Sequence, residues 1–493
     1  MMKRFFALAL LVVMTVFPTL AQGFGAYERP KLVVGIVVDQ MRWDYLDYYY
    51  NDFGEGGFRR LMNEGYSCDN HFINYVPTVT AVGHSCNYTG SIPALTGIAG
   101  NNFYKDGKKT YCTDDETVQT VGSNSDAGKM SPRNLLVSTM SDQLKLATDF
   151  RSKVISVSLK DRASILPAGH AADAAYWFDS KNGVFISSTY YMKQLPKWVN
   201  DFNKAHRQTK DIRTSPAGLT IVADMALAAI DGEDLGNHDV TDFLAVSFSS
   251  TDYIGHEYGT RAPITREAYK TLDADLARLF ARLDAKLGKG NYLVFLTADH
   301  AATHNAEFQK KHKLSADVWN DSKAKDEANA FLSSKFNTQN KLIKNIIEYR
   351  VYLDHEAIKS AGTDLDDVEE ALCAYLMSKN KIQYAVPFTK VSEASIPEPI
   401  KTRIINGYNP KRSGDIQIIT TTGVYADGVK PNGGTTHGTW NPFDSHIPML
   451  FYGWNVPKGH TTRETHITDL AATICAMLHI QMPNGCVGEP IQF

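Results

Sequence analysis

The chain repeats one pattern that few folds can accommodate. "KLVVGIVVD" (31–39) is an unbroken apolar run that ends in a carboxylate. "KVISVSL" (153–159), "DFLAVSFSSTD" (242–252), "YLVFLTADH" (292–300) and "IPMLFYGW" (447–454) repeat it. A strand that is apolar on both faces needs a sheet covered on both sides, as parallel sheets are. Amphipathic stretches separate or follow these runs: "LLVSTMSDQLKLAT", "GLTIVADMALAAI", "TREAYKTLDADLARLFARLDAKL" and "TDLAATICAMLHI". The alternation predicts an α/β fold, a central and mostly parallel sheet with helices on both faces. In such sheets ligands bind beyond the carboxyl ends of the strands.

A chain of 493 residues suits one large domain with insertions. Between 303 and 413 the apolar runs lapse, and stretches such as "DLDDVEEALCAYLMSKN" read as polar and mostly helical. This segment is expected to be an inserted cap within a catalytic domain spanning 22–493. Residues 1–21 read as a secretory leader: basic "MMKR", apolar "FFALALLVVMTVF", and small residues before a cleavage after Ala21. A retained N-terminal anchor is the alternative. No later run of about 18 apolar residues occurs, so no membrane span is expected in the mature chain. The expected location is periplasmic or secreted. A net charge of −3 offers no basic surface for a nucleic-acid polymer. The six cysteines permit disulfides in an exported chain, and Cys475 and Cys486 are near enough in sequence to pair. None forms a C-x-x-C, so a thiolate zinc site is not expected.

Metal-ligand residues collect at the strand ends. Asp39 closes the first run. "STDYIGHEYG" places Asp252 and His256 one helical turn apart, "LTADH" supplies Asp299 and His300, and the glycine-rich "GGTTHGTWN" holds His437. His446, in "DSHIPMLF", is a rival to His437. Any one of these signals is ordinarily a cap, a turn or a surface pair. Together they converge where the sheet places its site, and carboxylates mixed with imidazoles suit Zn2+ better than Ca2+ or Mg2+. Upstream, "NYVPTVTAVGHSCNYTG" (74–90) carries Thr78, Thr80 and Thr89. A threonine hydroxyl is a nucleophile only when something withdraws its proton.

The ordered set Asp39, Thr80, Asp252 with His256, Asp299 with His300, then His437 resembles the alkaline phosphatase superfamily. Within it, the pattern is similar to the branch of bacterial phosphate-irrepressible alkaline phosphatases and nucleotide pyrophosphatase/phosphodiesterases. "VVDQMRWDYL", "TAVGHSCNYTG", "GIAGNN", "SLKDR", "STDYIGHEYG", "TADH" and "THG" carry the resemblance over roughly 31–480. It implies two Zn2+ ions per chain. Asp252, His256 and His437 would hold one. Asp39, Asp299 and His300 would hold the other, which also meets the Thr80 hydroxyl and lowers its pKa, so no side-chain base is needed. Thr80 is preferred over Thr78 and Thr89 because the superfamily's nucleophile stands four residues before the histidine matched by His84, itself taken as structural. Asn101, with Asn102 as the alternative, would donate to a phosphoryl oxygen. Lys160 and Arg162 would contact the non-bridging oxygens, pointing the same way if their segment is extended. Val82 and Ala301 depart from the residues usual at their positions, and neither is a ligand. The C/S-x-P-x-R setting of sulfatases is absent. The implied activity is an exported two-zinc phosphomonoesterase of broad range, acting on small phosphate esters through a phosphothreonine. A phosphodiesterase or nucleotide pyrophosphatase on the same metal core is the alternative; an inactive phosphate-binding surface protein is a third possibility, from another class.

Overall fold

The computed structural model describes residues 28–426 and 433–493; the leader expected at 1–21 lies outside the described residues. The apolar runs form β1 (Leu32–Val38), β2 (Val154–Ser158), β3 (Asp242–Phe248), β4 (Tyr292–Thr297) and β5 (Met449–Gly453). They lie within a ten-stranded sheet in the order β5-β4-β1-β3-β2, with further strands outside on both edges. The pairs β1–β3, β1–β4 and β3–β2 are parallel, whereas β5 runs antiparallel to β4. Three helices rise beside the strand ends: α1 (Thr80–Thr89), α2 (Asp161–Ala168) and α3 (Ser250–Tyr258).

Every residue of β1 is buried because each face meets a helical layer. Leu32, Val34, Ile36 and Val38 pack in one core with Leu219, Val222, Leu272 and Leu276 of the helices Ala217–Gly232 and Pro263–Leu287. Val33 and Val37, on the opposite face by the two-residue period of a strand, pack with Tyr88, Leu144, Leu470 and Ile474. This two-sided cover is why the strands read as continuous apolar runs and not as alternating ones.

An insertion between β4 and β5 carries its own antiparallel sheet, in the order Ile343–Ile347, Arg350–Leu353, Ile416–Thr420, Ile382–Pro387. Leu332, Ile346, Val351, Leu372, Ile416 and Ile418 form a separate core between that sheet and the helices Asp321–Lys335 and Leu365–Met377. The segment expected to be mostly helical therefore contains a sheet, and its inner strand Ile416–Thr420 lies beyond residue 413. The outer strands are interrupted by exposed polar residues, Lys344 and Gln383, so no long apolar run marks them. All six cysteines are free, so Cys475 and Cys486 are not paired.

Candidate active site

The strands that build the site end level with one another. Val38 pairs with Phe248, Val37 with Thr297 and Ser247 with Ser158. Residues that follow these pairs emerge along one edge of the sheet. Asp39 follows β1, Lys160 immediately precedes α2, Asp252 lies in the first turn of α3, and Asp299 and His300 follow β4. Thr80 opens α1, which approaches closely because residue 83 is glycine: a Cβ there would lie 2.0 Å from the Asp299 carbonyl oxygen. Thr80 Oγ1 lies 3.4 Å from His300 Nε2 and 3.5 Å from Lys160 Nζ.

Two groups of ligand atoms cluster around this hydroxyl. Those of Asp252, His256 and His437 lie within 4.8 Å of one another, as do those of Asp39, Asp252 and His300. His256 Nε2 is 3.1 Å and His437 Nε2 3.6 Å from Asp252 Oδ1. Asp299 stands behind the second group. Its Oδ1 accepts from the Gln40 and His300 backbone N–H groups at 3.2 and 3.0 Å, and its Oδ2 is 3.5 Å from His300 Nε2. His84 has both ring nitrogens engaged, with the Thr80 carbonyl at 2.9 Å and Ser247 Oγ at 2.8 Å. His446 is sandwiched between Trp43 and Phe72, with ring centroids 4.7 and 4.6 Å away, and its Nε2 meets the Asp69 carbonyl.

The donor set fits a bound cation. The Nδ1 atoms of His256, His300 and His437 each face a backbone carbonyl, of Thr435 (2.9 Å), Ala301 (3.0 Å) and Thr78 (2.7 Å). Such bonds place the proton on Nδ1 and leave the Nε2 lone pair facing the carboxylates, the usual arrangement for a metal-ligating histidine. Burial holds His300 and His437 below the ordinary histidine pKa, which keeps them neutral. Asp39 Oδ1 and Asp299 Oδ2 are buried without a hydrogen-bond partner. Leaving a charged buried oxygen unpaired is costly, and a cation between these groups removes that cost. Burial, then repulsion from Asp299, raises the Asp39 pKa strongly. Burial pushes Asp252 the same way, but His256 and Lys160 outweigh it and hold Asp252 ionised.

Lys160 donates to Asp39 Oδ2 at 2.7 Å and Asp252 Oδ2 at 2.6 Å, so it bridges the two ligand groups. Burial disfavours its charge, yet Asp252 and Asp39 raise its pKa and keep it protonated. The segment is not extended, because Arg162 lies in the first turn of α2. Lys160 and Arg162 nonetheless line one cavity of about 530 Å³ with Tyr253 and Arg213. Arg162 Nη1 donates to the Tyr111 hydroxyl, and its buried Nε has no partner. Asn101 Oδ1 accepts from the Ala81 N–H at 3.0 Å, so its amide nitrogen is the donor end; one of its hydrogens meets Glu348 and the other is left over.

Two further residues belong to the site, and no motif gave either a role. Gln40 has a left-handed backbone (φ 66°), and its Nε2 donates to Asp252 Oδ1 at 2.6 Å. Glu348, from the insertion, accepts from the Asn101 N–H at 3.1 and 3.2 Å. Only the tertiary structure brings Gln40 to Asp252 and Glu348 to Asn101.

A family model described as type I phosphodiesterase / nucleotide pyrophosphatase matches residues 33–440, from β1 through His437. The chain belongs to this family. Relatives of this phosphodiesterase/nucleotide pyrophosphatase chain include alkaline phosphatase PafA of Elizabethkingia meningoseptica, 47% identical over 96% of this chain and 95% of that one. Alkaline phosphatase PhoV of Synechococcus elongatus is 44% identical over 94% and 92% of the two chains. A protein of Myroides odoratus named calcium-transporting ATPase is 46% identical over 94% of each. Among the described residues of this chain, no helix is long and apolar enough to cross a membrane. The crystal structure of wild-type PafA matches at a TM-score of 0.91 and 47% identity, covering 95% of this chain and 99% of that one. Membership in the phosphodiesterase/nucleotide pyrophosphatase family agrees with the resemblance read from motif order, and the alkaline-phosphatase-like α/β fold follows from the structural match.

Proposed function

We propose that this protein is an exported alkaline phosphatase that uses two Zn2+ ions to hydrolyse phosphate monoesters of broad range. The observation that carries the reading is the placement of the Thr80 hydroxyl beside His300 of one nitrogen–oxygen ligand group and beside the buried Lys160, while a second such group shares Asp252 with the first. Asp252, His256 and His437 would hold one ion, and Asp39, Asp299 and His300 the other, with Thr80 beside it. Bound there, zinc supplies Lewis acidity and lowers the pKa of the Thr80 hydroxyl. The three imidazoles favour zinc over calcium or magnesium, which take oxygen shells.

The chain's own residues account for the rest. Thr80 Oγ attacks phosphorus, a P–O bond forms to the threonine, and the ester oxygen leaves with the electrons of the broken P–O bond and gains a proton from solvent. Water then cleaves the phosphothreonine, releases phosphate and restores the hydroxyl. Asn101 offers an amide donor to one phosphoryl oxygen. Lys160 and Arg162 add positive charge facing the non-bridging oxygens, which favours a monoester dianion over a diester. Two relatives named alkaline phosphatases, each more than two-fifths identical over nearly the whole chain, support the same reading. A PafA variant altered at one threonine, one asparagine, one lysine and one arginine has been crystallised, and these are the residue types at Thr80, Asn101, Lys160 and Arg162. Export rests on the leader-like first residues, and the partners are small phosphate esters rather than a nucleic-acid polymer.

The description of the family favours a second reading, a phosphodiesterase or nucleotide pyrophosphatase on the same core. Turnover of p-nitrophenyl phosphate against its bis ester, on one zinc-loaded preparation, separates the two. The monoester should be preferred, and acid quenching during turnover should trap phosphate on Thr80. Thr80→Ala should keep its zinc and lose nearly all turnover, while Thr80→Ser should remain partly active. Diester preference supports the second reading, and zinc binding without turnover supports an inactive phosphate-binding protein. Phosphate trapped on Thr78 would move the nucleophile.

A further inference from the structure

A hairpin of the insertion reaches the segment that carries the nucleophile. Its strands Ile343–Ile347 and Arg350–Leu353 are joined by Glu348 and Tyr349, both with left-handed backbones (φ 50° and 65°), as a tight two-residue turn requires. The turn presents the Glu348 carboxylate to the main chain of Asn101, with both oxygens within hydrogen-bond reach of its N–H. Residue 100 must be small for this approach: a Cβ on Gly100 would lie 2.1 Å from Glu348 Oε2. Two residues further on, the buried Arg350 donates to the carbonyls of Ala99, Val76 and Gly407. One hairpin therefore grips the segment that carries Thr80 on both sides, at Val76 before it and at Ala99 to Asn101 after it.

The contacts continue to the nucleophile. Asn101 Oδ1 accepts from Ala81, the residue next to Thr80. Glu348 fixes the Asn101 main chain and also accepts from its side-chain amide, Ala81 fixes its side-chain oxygen, and the remaining amide hydrogen is left in one orientation. A donor held in place before the charge develops costs no reorganisation during the reaction. We infer that Glu348 is a positioning residue for phosphoryl binding, acting through Asn101 and tying the insertion to the nucleophile. The inference rests on the phosphatase reading of the site. Glu348 need not touch the substrate; burial pushes its carboxyl up to about 7, and the nearby guanidinium groups of Arg350 and Arg162 and the bonds from Asn101 oppose that rise only in part.

A double-mutant cycle on the zinc-loaded protein tests the inference, with inorganic phosphate affinity read by equilibrium binding and kcat and KM read on p-nitrophenyl phosphate. Glu348→Ala should weaken phosphate binding and lower kcat/KM by about tenfold or more, approaching the loss for one preorganised donor. Glu348→Gln keeps an acceptor and should recover most of both. In an Asn101→Ala background the same Glu348 changes should cost less than about twofold, because residues that act as one unit are not additive. Zinc content should stay constant throughout. Should Glu348→Ala fail to fold, the smaller loss in Glu348→Gln must likewise vanish in the Asn101→Ala background. Undiminished losses in that background, or no loss from Glu348→Ala alone, overturn the inference while leaving the phosphatase reading intact. A zinc-loaded wild-type protein that neither binds phosphate nor turns over the ester overturns both.

Discussion

Gln40 offers a sharp test of how the metal cluster is held. Its backbone sits in the left-handed region, which costs a non-glycine residue about 1–2 kcal/mol. Its side chain fills the space left by Gly255, where a Cβ would come within 1.8 Å of Gln40 Oε1. The amide reaches Asp252 Oδ1 at 2.6 Å, the same oxygen that faces His256 and His437. A hydrogen bond to a charged group contributes about 1.5–3 kcal/mol. At about 1.4 kcal/mol per tenfold, losing it should weaken one metal site by about 10- to 100-fold, the range seen when outer partners of metal ligands are removed. Gln40→Met keeps the length and removes the donor, so it should show this loss. Metal-stripped protein titrated with zinc against a chromophoric chelator reads the affinity directly. Gln40→Ala and Gln40→Gly both lack the amide, but glycine adopts a left-handed backbone without strain. The metal-free Gly variant should therefore melt above the Ala variant. Wild-type zinc affinity in Gln40→Met, or an Ala variant that melts higher than the Gly variant, would refute the reasoning.

Two other outcomes follow from the site. Lys160→Ala and Arg162→Ala should each slow monoester hydrolysis by about 10²–10³-fold and diester hydrolysis much less; equal losses on both substrates would mean that the pair supports the site without setting its selectivity. His437→Ala should lose zinc from one site and most turnover. His446→Ala, which removes stacking on Trp43 and Phe72, should cost about 1 kcal/mol of stability and no zinc; zinc loss from this variant instead would shift the ligand to His446.

Much of the fold was legible in the residues because burial on both sheet faces leaves a local trace. A strand such as Leu32–Val38 meets helices above and below, so every position is apolar and the run announces itself. The residues just past such runs are bound to lie at the sheet's carboxyl edge, which is why Asp39, Asp252, Asp299 and His300 could be read as one site before any contact was known. The insertion's sheet left no such trace, since polar residues such as Lys344, Asn345 and Gln383 interrupt its outer strands. The antiparallel direction of β5 was equally silent, because an apolar run does not record which way its neighbour points.

The tertiary structure alone decided the fine geometry. Level strand ends brought Lys160 between Asp39 and Asp252, although in an isolated loop Lys-Asp-Arg is ordinarily a solvated face. Gly83 and Gly100 look like any other glycines until the backbone and side chain they admit are in place. Gln40 stands in a motif that gave it no role and Glu348 in none; both matter because folding brings Asp252 and Asn101 within hydrogen-bond distance of them. Sequence periodicity records how each segment is buried, whereas contacts between distant segments depend on register, turn geometry and close approach, which exist only once the chain is folded.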